Sequence, residues 1–389
     1  MAKVLCVLRG YKRQTEANAI CLFPIIEIWK EKGHQVDVLS LENEKEYSED
    51  GLYIVSKEEK CKQKVLRQIR KFIYMPLDSP SVAKTISEAV DRMLIHTHYD
   101  VIISVVNPVE AADAIAVIKR NHPEIQTILY EIDPASNRYK YPSGIIERLW
   151  SFRSIRWEKR IYNIFDIVIH MQTHRKHFDT DIYKQYKNKT RYLDIPSFSV
   201  HILPKKASDE RISFVYAGAF YPELRNPFRM FEVLREYSKI APIKVHIYTG
   251  VSMRREVEAM ISKDGETFFL HNYVSQEELF EVYSNADVLI DLGNKESDFL
   301  SSKILQYIGT GKPVIHFSQD KEDVANKYVS KYPKGINIDL SEKVAVIIPQ
   351  MKLFMQSLEK LGDVEEAELE KSYIENTPGY SAEKIMEMF

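Results

Sequence analysis

The chain has 389 residues, of which 44% are hydrophobic and 28% are charged. This is the composition of an ordinary globular protein, and it excludes disordered, collagen-like and low-complexity architectures. A single hydrophobic core rarely serves so long a chain, so we expect two domains. The 54 basic and 56 acidic side chains leave a formal net charge of −2, which gives no global attraction for nucleic acid, and we expect no nucleic-acid partner.

The cysteines and the apolar runs bear on the compartment. Cys6, Cys21 and Cys61 show no metal-type spacing and are typical of a reducing compartment rather than of a disulfide framework. The amino terminus runs directly into a strand-like segment without the features of a signal peptide. All apolar runs are much shorter than the roughly 20 residues that span a membrane. We therefore expect a cytoplasmic protein, with a peripheral position at the inner face of the membrane as the alternative.

The first half of the chain alternates short apolar runs with longer amphipathic segments. The apolar runs are continuous, as in parallel strands that are covered on both faces. The alternation predicts βαβ units and a sheet with parallel pairing only. The predicted strands are residues 4–8, 36–39, 101–106, 127–132 and 167–171, and the predicted helices are residues 16–32, 81–96, 109–121 and 145–163.

The same pattern starts again after a pause at residues 194–210. The sequence therefore predicts two doubly wound α/β domains with parallel, Rossmann-like sheets, residues 1–200 and 207–370, followed by a terminal helical segment at residues 371–389. Ligands bind at the carboxyl ends of parallel strands, so two such sheets would face each other across a cleft. The strands predicted for the second domain are residues 212–218, 245–248, 268–273, 288–292, 314–317 and 336–338.

The segment from residue 298 to residue 315 lies between two of these strands and carries the strongest functional signal. Ser301 or Ser302 suits the N-cap of the intervening helix. Lys303 would then lie in the first turn, where the helix dipole disfavours a cation unless an anion is bound there. Exposed backbone N–H groups and Lys303 would together form a diphosphate site. The alternative is a solvent-facing lysine on an ordinary helix.

This segment resembles the donor-binding segment of family 4 glycosyltransferases, which often reads Pro/Ser-Ser-Lys, a short apolar stretch, Glu-Tyr and then Gly-Lys-Pro-Val-Ile. The resemblance extends over nearly the whole chain and implies a GT-B fold with retaining transfer from a nucleotide sugar. Members carry two glutamates with seven residues between them, where this chain has Asp298 and Gln306. The resemblance implies that Asp298 lies near the donor sugar. It also implies that Gln306 hydrogen-bonds the ribose, without the charge of the usual glutamate.

The start of the second domain also resembles the family, in residues 213–221 and 224–227. Gly218, at the first strand–helix turn, would let a ligand approach the backbone closely. Arg225 would grip the donor diphosphate, since arginine can bind phosphate bidentately. Pairing with Glu223 at the rim is the alternative role for Arg225.

Two more segments of the second half of the chain resemble the family. Residues 271–279 resemble the strand–helix turn that receives the nucleobase, which would lie against Tyr273 and Val274. The helix predicted after Pro378 would pack back on the first domain, as it does in relatives.

The first domain resembles the family more weakly. Residues 99–104 with Asn107 resemble the central strand and the turn after it. Asp133 belongs to an acidic turn that many members present to the acceptor, and an Asx turn or helix cap before Pro134 is its alternative role. Gly10 lies in a first loop that would face the cleft. The predicted acceptor site thus comprises Gly10, Asn107 and Asp133.

Signatures of metal centres and of other enzyme classes are weak. His170 belongs to a strand-like run, while His174 and His177 look helical and solvated, so the three predict no metal site. The one Asp-X-Asp, at residues 179–181, lies outside the donor half. GT-B relatives stabilise the leaving diphosphate with a helix dipole and cations, so we expect neither a metal nor a cofactor. Nucleophile triads and the Gly-rich motifs of kinases and dehydrogenases do not occur.

Basic and aromatic side chains alternate within residues 146–160, and residues 60–71 are also rich in lysine and arginine. Such a helix can lie on an anionic membrane. The alternative is an ordinary amphipathic helix whose tryptophans face the sheet. A lipid-linked acceptor would explain the basic faces.

Together these features predict a hexosyltransferase that moves a sugar from a UDP- or GDP-sugar to a saccharide or lipid-linked saccharide in surface polysaccharide or glycoconjugate assembly. Arg225 and Lys303, with side chains exposed in the empty site, would stabilise the leaving diphosphate, while Asp298 and Asp133 would orient donor and acceptor. Two alternatives stay open. One is a nucleotide-sugar epimerase with the same donor site. The other is a catalytically silent homologue that stabilises an active partner, which the Asp298/Gln306 departure favours.

Overall fold

The computed structural model describes residues 1–12, 14, 16–56, 72–136, 144–204, 210–262, 264–295 and 298–389. The chain divides into two compact units, residues 1–196 with 375–389 and residues 197–374. Each unit is built on one sheet with helices between the strands. The predicted α/β class with two parallel sheets is confirmed.

The first unit contains the five strands and four helices that the sequence predicts, together with three further strands. The strands are β1 (Lys3–Arg9), β2 (Gln35–Glu42), β3 (Tyr47–Glu49), β4 (Leu52–Ser56), β5 (Val101–Val105), β6 (Gln126–Glu131), β7 (Ile167–Met171) and β8 (Thr190–Leu193). The helices are α1 (Ala17–Glu31), α2 (Pro80–His96), α3 (Val109–Asn121), α4 (Ile145–Ile164) and the short α5 (Arg175–Phe178). The strand order is β3-β4-β2-β1-β5-β6-β7-β8.

The prediction of exclusively parallel pairing is wrong at one edge of this sheet. β3 pairs antiparallel with β4, and the two strands are joined by Asp50 and Gly51. Both residues have positive φ, 44° and 77°. Two consecutive residues of this kind form the turn that matches the twist of a hairpin, and Asp-Gly is a common sequence for it. The other strand pairs of the sheet are parallel.

The second unit contains all six predicted strands. They are β9 (Ile212–Ala217), β10 (Ile243–Tyr248), β11 (Phe268–His271), β12 (Val288–Leu292), β13 (Val314–Ser318) and β14 (Gly335–Asp339). The helices are α6 (Phe228–Ser238), α7 (Arg254–Ile261), α8 (Gln276–Ser284), α9 (Ser302–Gly309), α10 (Ala325–Val329), α11 (Val344–Leu358) and α12 (Glu366–Ser372). The strand order is β11-β10-β9-β12-β13-β14, and every pair is parallel.

Both cores follow from the continuous apolar strands. Val4, Leu5 and Val7 of β1 are fully buried, because β1 lies in the middle of its sheet and helices cover both faces. In the second unit, Ile290 of β12 and Ile315 of β13 are also fully buried. Buried central strands hold their carboxyl ends rigidly, which is what a site built on the following loops requires.

A terminal helix, α13 (Pro378–Met386), belongs to the first unit and packs against α1. The indole Nε1 of Trp29 donates a hydrogen bond to the carbonyl oxygen of Ala382 at 3.0 Å. The Trp29 ring is fully buried and lies 5.7 Å from the ring of Phe389. A tryptophan that is both buried and hydrogen-bonded thus anchors the end of the chain.

Gly309 lets the chain that enters the second unit lie directly against α9. The N–H of His201 donates to the carbonyl of Gly309 at 2.8 Å, and the N–H of Leu203 donates to that of Thr310 at 2.9 Å. A β-carbon at position 309 would lie 2.1 Å from the carbonyl oxygen of Ser199. This close approach fixes the helix that carries Lys303.

We expect Gly309→Ala to lower the free energy of unfolding and the melting temperature. An alanine in an unobstructed helix would stabilise by about 1 kcal/mol relative to glycine. The clash with backbone atoms costs about 1–3 kcal/mol and outweighs that gain. Gly379→Ala is the matched control, because a β-carbon at that helical glycine meets no atom within 4 Å. The free energy of unfolding of each variant is measured with denaturant. Equal values for Gly309→Ala and the control would contradict the close packing at Gly309.

Candidate active site

The candidate donor site lies at the carboxyl edge of the second sheet. β9 ends at Ala217 and the neighbouring β12 ends at Leu292. The loop after β9 carries Arg225, and α9, which begins at Ser302, follows the loop after β12. Loops at this edge are where open parallel sheets bind ligands.

Lys303 lies in the first turn of α9, and its side chain reaches the end of β9. Its Nζ donates a hydrogen bond to the carbonyl oxygen of Ala217, which also accepts one from the Tyr307 hydroxyl at 3.1 Å. Burial and the nearby charge of Arg225 lower the pKa of Lys303 to about 8, against the opposing charge of Asp291. Lys303 therefore belongs to a polar cluster and is not a solvent-facing surface lysine.

Arg225 lies in a tight loop that is closed by two backbone hydrogen bonds with Tyr221, 3.1 and 2.9 Å long. Its Nε donates to Oδ1 of Asn294 at 3.0 Å, and its guanidinium also hydrogen-bonds the hydroxyl of Tyr216. These contacts, rather than a pair with Glu223, hold the side chain. The expectation that the two cations are exposed is wrong: both are half-buried because the ends of β9 and β12 surround them.

A buried carboxylate lies behind the two cations. Asp291 of β12 is 4% exposed, and its Oδ2 lies 2.7 Å from Nδ1 of the fully buried His316 in β13. On the other side of the imidazole, Nε2 lies 3.3 Å from Oδ2 of Asp323. Burial acts to lower the pKa of His316, but hydrogen bonds and charges from the two carboxylates raise it to about 9. The imidazole is therefore a cation at neutral pH.

The carboxylate of Asp291 thus interacts with cations on two sides. Asp291 interacts electrostatically with Arg225 and with Lys303, and His316 offsets part of its charge from within the sheet. The two cations at the edge are thereby held in place without being fully neutralised. Two cations next to a helix N-terminus form an arrangement suited to a diphosphate.

The other residues predicted to bind the donor lie around this cluster. Asp298 precedes α9 and is 7% exposed, Ser302 is the first residue of α9, and Gln306 is half-buried one turn after Lys303. Nδ2 of Asn294 donates to the carbonyl of Phe299 at 3.0 Å and so fixes the loop in front of the helix.

Gly218 and the predicted nucleobase turn lie at the ends of β9 and β11. A β-carbon at Gly218 would lie 2.8 Å from the hydroxyl oxygen of Tyr216, so the glycine makes room for that hydroxyl. Tyr273 is 73% exposed and Val274 is half-buried, directly before α8. The capping box of Ser275 at the start of α8 fixes the end of this turn.

The predicted acceptor residues share the carboxyl edge of the first sheet. Gly10, Asn107 and Asp133 follow the adjacent strands β1, β5 and β6. Gly10 has a φ of 73° and Asn107 a φ of 88°, a backbone region that favours these two residue types. Asp133 is exposed as a residue, yet partial burial of its carboxyl raises the pKa of that group. The N–H of Ser136, which a cap at Asp133 would bind, donates to Glu158 instead.

His170 and His174 of the first unit belong to its buried interior. His170 and His174 are buried, so the expectation that His174 is solvated is wrong; its Nε2 lies 3.1 Å from the carbonyl oxygen of Ile132. The ring of His170 stacks on that of Phe178 at 3.5 Å. Within the described part of the chain, no group of three histidine, cysteine or acidic residues could hold a metal ion.

The residues that support the site from inside were not predicted from the sequence. Asp291 and His316 lie within strands that read as continuous apolar runs, and Glu131 ends another. A charged residue in an otherwise apolar buried strand is the signal that could have found them, since such a charge needs a buried partner.

We expect His316→Gln to remove part of the pH dependence of stability. The pKa of His316 is raised from 6.5 in the unfolded chain to about 9 in the folded protein. Its contribution to stability is complete below pH 6.5 and is lost as the pH rises through 9. Denaturant unfolding of both proteins across this range isolates His316, because the other titrating groups are common to both. Parallel curves for wild type and variant would contradict a charged His316.

No known family model and no curated protein matches the sequence. Solved structures nevertheless share its fold. Sucrose-phosphate synthase from Thermosynechococcus elongatus is similar over 100% of this chain and 98% of its own, with a TM-score of 0.69 at 12% identity. The catalytic domain of starch synthase IV from Arabidopsis thaliana, bound to ADP and acarbose, is similar over 100% and 98%, with a TM-score of 0.60 at 10% identity.

A proposed UDP-N-acetylglucosamine 2-epimerase from Listeria monocytogenes is similar over 99% of this chain and 95% of its own, with a TM-score of 0.57 at 10% identity. Likeness at such low identity shows the fold alone. The chain is thus an α/β protein with the GT-B fold, as its sequence predicts.

Proposed function

We propose that the protein is a glycosyltransferase that moves a hexose from a UDP- or GDP-sugar to a saccharide hydroxyl in surface polysaccharide or glycoconjugate assembly. The observation that carries this proposal is the pair Arg225 and Lys303, held beside the N-terminus of α9 by the buried Asp291. The two solved synthases with the same fold support it, and one of them was solved with ADP bound.

The chemistry follows from the charges. A nucleoside diphosphate leaves with negative charge, and the two cations with the α9 N–H groups would stabilise that charge as it develops. They supply what a divalent metal supplies elsewhere, so we propose a reaction without a metal or cofactor. Transfer would proceed with retention, the leaving phosphate accepting the proton of the acceptor hydroxyl.

The remaining residues would bind the two substrates. Asp298 would orient the donor sugar and Gln306 the ribose, beside the backbone of Gly218 and Ser302. Tyr273 and Val274 would receive the nucleobase. On the first unit, Gly10, Asn107 and Asp133 would bind and orient a saccharide or lipid-linked saccharide acceptor.

Two other functions are separated from sugar transfer by product analysis. Asp298 and Gln306, in place of two glutamates, favour a silent homologue that stabilises an active partner, and such a protein would neither transfer nor hydrolyse the donor. The fold shared with a proposed epimerase favours sugar isomerisation, which would release an epimeric sugar without any acceptor.

UDP or GDP should raise the melting temperature of the protein, and UMP or GMP should do so far less. Lys303→Ala and Arg225→Ala should each weaken diphosphate binding by about 1.5–3 kcal/mol, the contribution of a charged hydrogen bond. Lys352→Ala is the control, since this lysine is exposed on α11 of the same unit. The absence of any shift with millimolar nucleoside diphosphate would overturn the enzyme proposal and leave the silent homologue.

Diphosphate affinity should fall as the pH rises above about 8. The pKa of Lys303 is lowered to about 8 in the free protein, and only the protonated amine attracts the anion. Lys303→Arg should remove this loss, because arginine stays charged throughout. Equal pH dependence of UDP binding in both proteins, measured by calorimetry, would rule out Lys303 as the titrating group.

An exposed apolar patch on the first unit supports a peripheral position of the protein at a membrane, where it would meet a lipid-linked acceptor. The patch consists of Phe72, Ile73, Tyr74, Ile145, Ile146, Leu149 and Phe152. Arg153 joins its two segments, since its guanidinium donates to the carbonyls of Phe72 and Ile73. Arg148 and Arg156 are exposed on the same helix, α4. Apolar side chains flanked by arginines match an anionic lipid surface.

The alternative for α4 was an ordinary amphipathic helix whose tryptophans face the sheet. Burial of this kind applies to only part of the helix. Trp157 is 4% exposed and its Nε1 lies 3.3 Å from Oδ2 of Asp113, while Phe152 is 61% exposed. Residues 60–71 lie outside the described residues. Among the helices of the described ranges, none has both the length and the apolar character needed to cross a membrane.

Replacing Ile145 and Phe152 together by glutamate should reduce co-sedimentation with vesicles that contain anionic lipid. Ile95→Glu is the control, since Ile95 is 75% exposed on α2 of the same unit. Arg156→Glu should weaken binding mainly at low salt. Charge reversal at Arg153 is unsuitable, because it breaks two hydrogen bonds within the fold. Equal binding of wild-type protein to neutral and anionic vesicles would contradict the proposal.

A further inference from the structure

The described part of the loop that carries Asp133, residues 132–136, is tied to the interior of the first unit at two points. At its start, the carbonyl oxygen of Ile132 lies 3.1 Å from Nε2 of His174. At its end, Ser136 is 1% exposed and its N–H points inward. Asp133, between these two anchors, is exposed. The position of this carboxylate therefore depends on what holds the anchors.

The anchor at the end of the loop is a buried carboxyl group. Glu158 of α4 is fully buried, and its Oε1 accepts a hydrogen bond from the N–H of Ser136 at 2.7 Å. Its Oε2 accepts one from the hydroxyl of Tyr183 at 2.5 Å. The Ser136 hydroxyl lies 2.7 Å from Nε2 of His177 and 3.2 Å from the Tyr183 hydroxyl. Glu158 thus holds the loop backbone directly.

A second buried carboxyl group lies next to it. Glu131, the last residue of β6, is fully buried, and its Oε2 accepts a hydrogen bond from the Tyr162 hydroxyl at 2.5 Å. The same oxygen lies 3.0 Å from Nδ1 of His170. Burial lowers the pKa of His170 to about 3, so this imidazole is neutral and supplies no positive charge.

The two carboxyl groups interact electrostatically, and within the described residues no cation pairs with either of them. In the described ranges no lysine or arginine forms an ion pair with Glu131 or Glu158, and the groups that face them there are tyrosines, Ser136, a neutral histidine and the carboxylate of Asp133. Burial raises the pKa of both glutamates to about 8, and the charge of Glu131 adds to the effect on Glu158. Two like charges buried together are costly unless protons or water neutralise them.

We propose that Glu158 is a positioning residue for Asp133: it holds the Ser136 end of the loop while the Glu131–Glu158 pair retains protons, and it releases the loop when the pair ionises. The proposal rests on the proposed function only in giving Asp133 an acceptor to orient. Ser136 is the loop residue that hydrogen-bonds Glu158, so its displacement would open the ionised pair to water.

The raised pKa values of Glu131 and Glu158 give the direction in which pH affects the loop. The folded loop favours the protonated pair. The contribution of the pair to the stability of the closed loop is therefore complete below the ordinary glutamate pKa of 4.5 and is lost as the pH rises through about 8. The loop is therefore held at neutral pH and loosens in mild alkali.

Hydrogen exchange of the backbone amides of Ile132, Asp133, Ala135 and Ser136, without any substrate, tests the proposal. At pH 7, Glu158→Ala should speed exchange of this loop by about tenfold, as expected when a buried hydrogen bond is lost. Glu158→Gln should keep the loop protected, because its amide can accept from Ser136 and donate to Tyr183. After correction for the intrinsic rate, exchange in wild type should accelerate between pH 7 and 9, and in Glu158→Gln it should not.

Glu110→Ala is the matched control. Glu110 is a buried glutamate of α3 whose Oε1 accepts the N–H groups of Asp78 and Ser79 at 2.6 and 2.7 Å. This variant should speed exchange at residues 78–79 and leave the loop of Asp133 unchanged. Unchanged loop protection in Glu158→Ala would overturn the proposal. If that variant does not fold, alkaline loosening of Glu158→Gln equal to that of wild type would overturn it.

Kinetics separates this proposal from the proposed function. Glu158→Ala should raise the KM for the acceptor about tenfold or more and leave UDP affinity unchanged, since the donor residues belong to the other unit. Wild-type protein that transfers to no acceptor would refute the proposed function, while the exchange result would still decide the role of Glu158. An unchanged acceptor KM in an active Glu158→Ala protein would refute the positioning role.

Discussion

The candidate donor site depends on the buried carboxylate of Asp291. A charge in the interior of a sheet is costly unless it is paired on every side that lacks water. His316 pairs with Asp291 from the neighbouring strand, and Arg225 and Lys303 face it from the edge. The two edge cations are thereby held close together before any ligand binds. Their mutual repulsion is the reason why an anion at this edge would be stabilising.

The two units neutralise their buried acids by different means. In the second unit, Asp291 and Asp323 flank the protonated His316, so a cation offsets part of their charge. In the first unit, the described neighbours of Glu131 and Glu158 are hydroxyl groups, the Ser136 N–H, a neutral histidine and the carboxylate of Asp133, so no described cation balances them and protons do so instead. Both arrangements lie directly below a loop that carries a predicted substrate-binding residue. Burial thus links the titration of interior groups to the geometry at each sheet edge.

Much of the fold could be predicted because buried parallel strands are continuous apolar runs, as in β1 and β12. The Lys303 helix was predicted from its serine start and its place between two strands. The edge hairpin at Asp50 and Gly51 was missed because its strands are short. The partners of the buried acids could not be predicted, because strand register decides them: Asp291 and His316 pair across β12 and β13, although 25 residues separate them. Tertiary contact of this kind has no local pattern.

The measurement that tests the central claim most directly is the number of protons taken up when UDP binds. Calorimetry at about pH 8.5, in two buffers of different ionisation enthalpy, measures this number, since a bound anion raises the pKa of a neighbouring lysine. If Lys303 and Arg225 hold the diphosphate, wild-type protein should take up about half a proton or more per UDP, because most Lys303 is neutral at that pH in the free protein. Lys303→Arg should bind UDP with almost no uptake. UDP binding without proton uptake in the wild type, or with the same uptake in Lys303→Arg, would contradict the account.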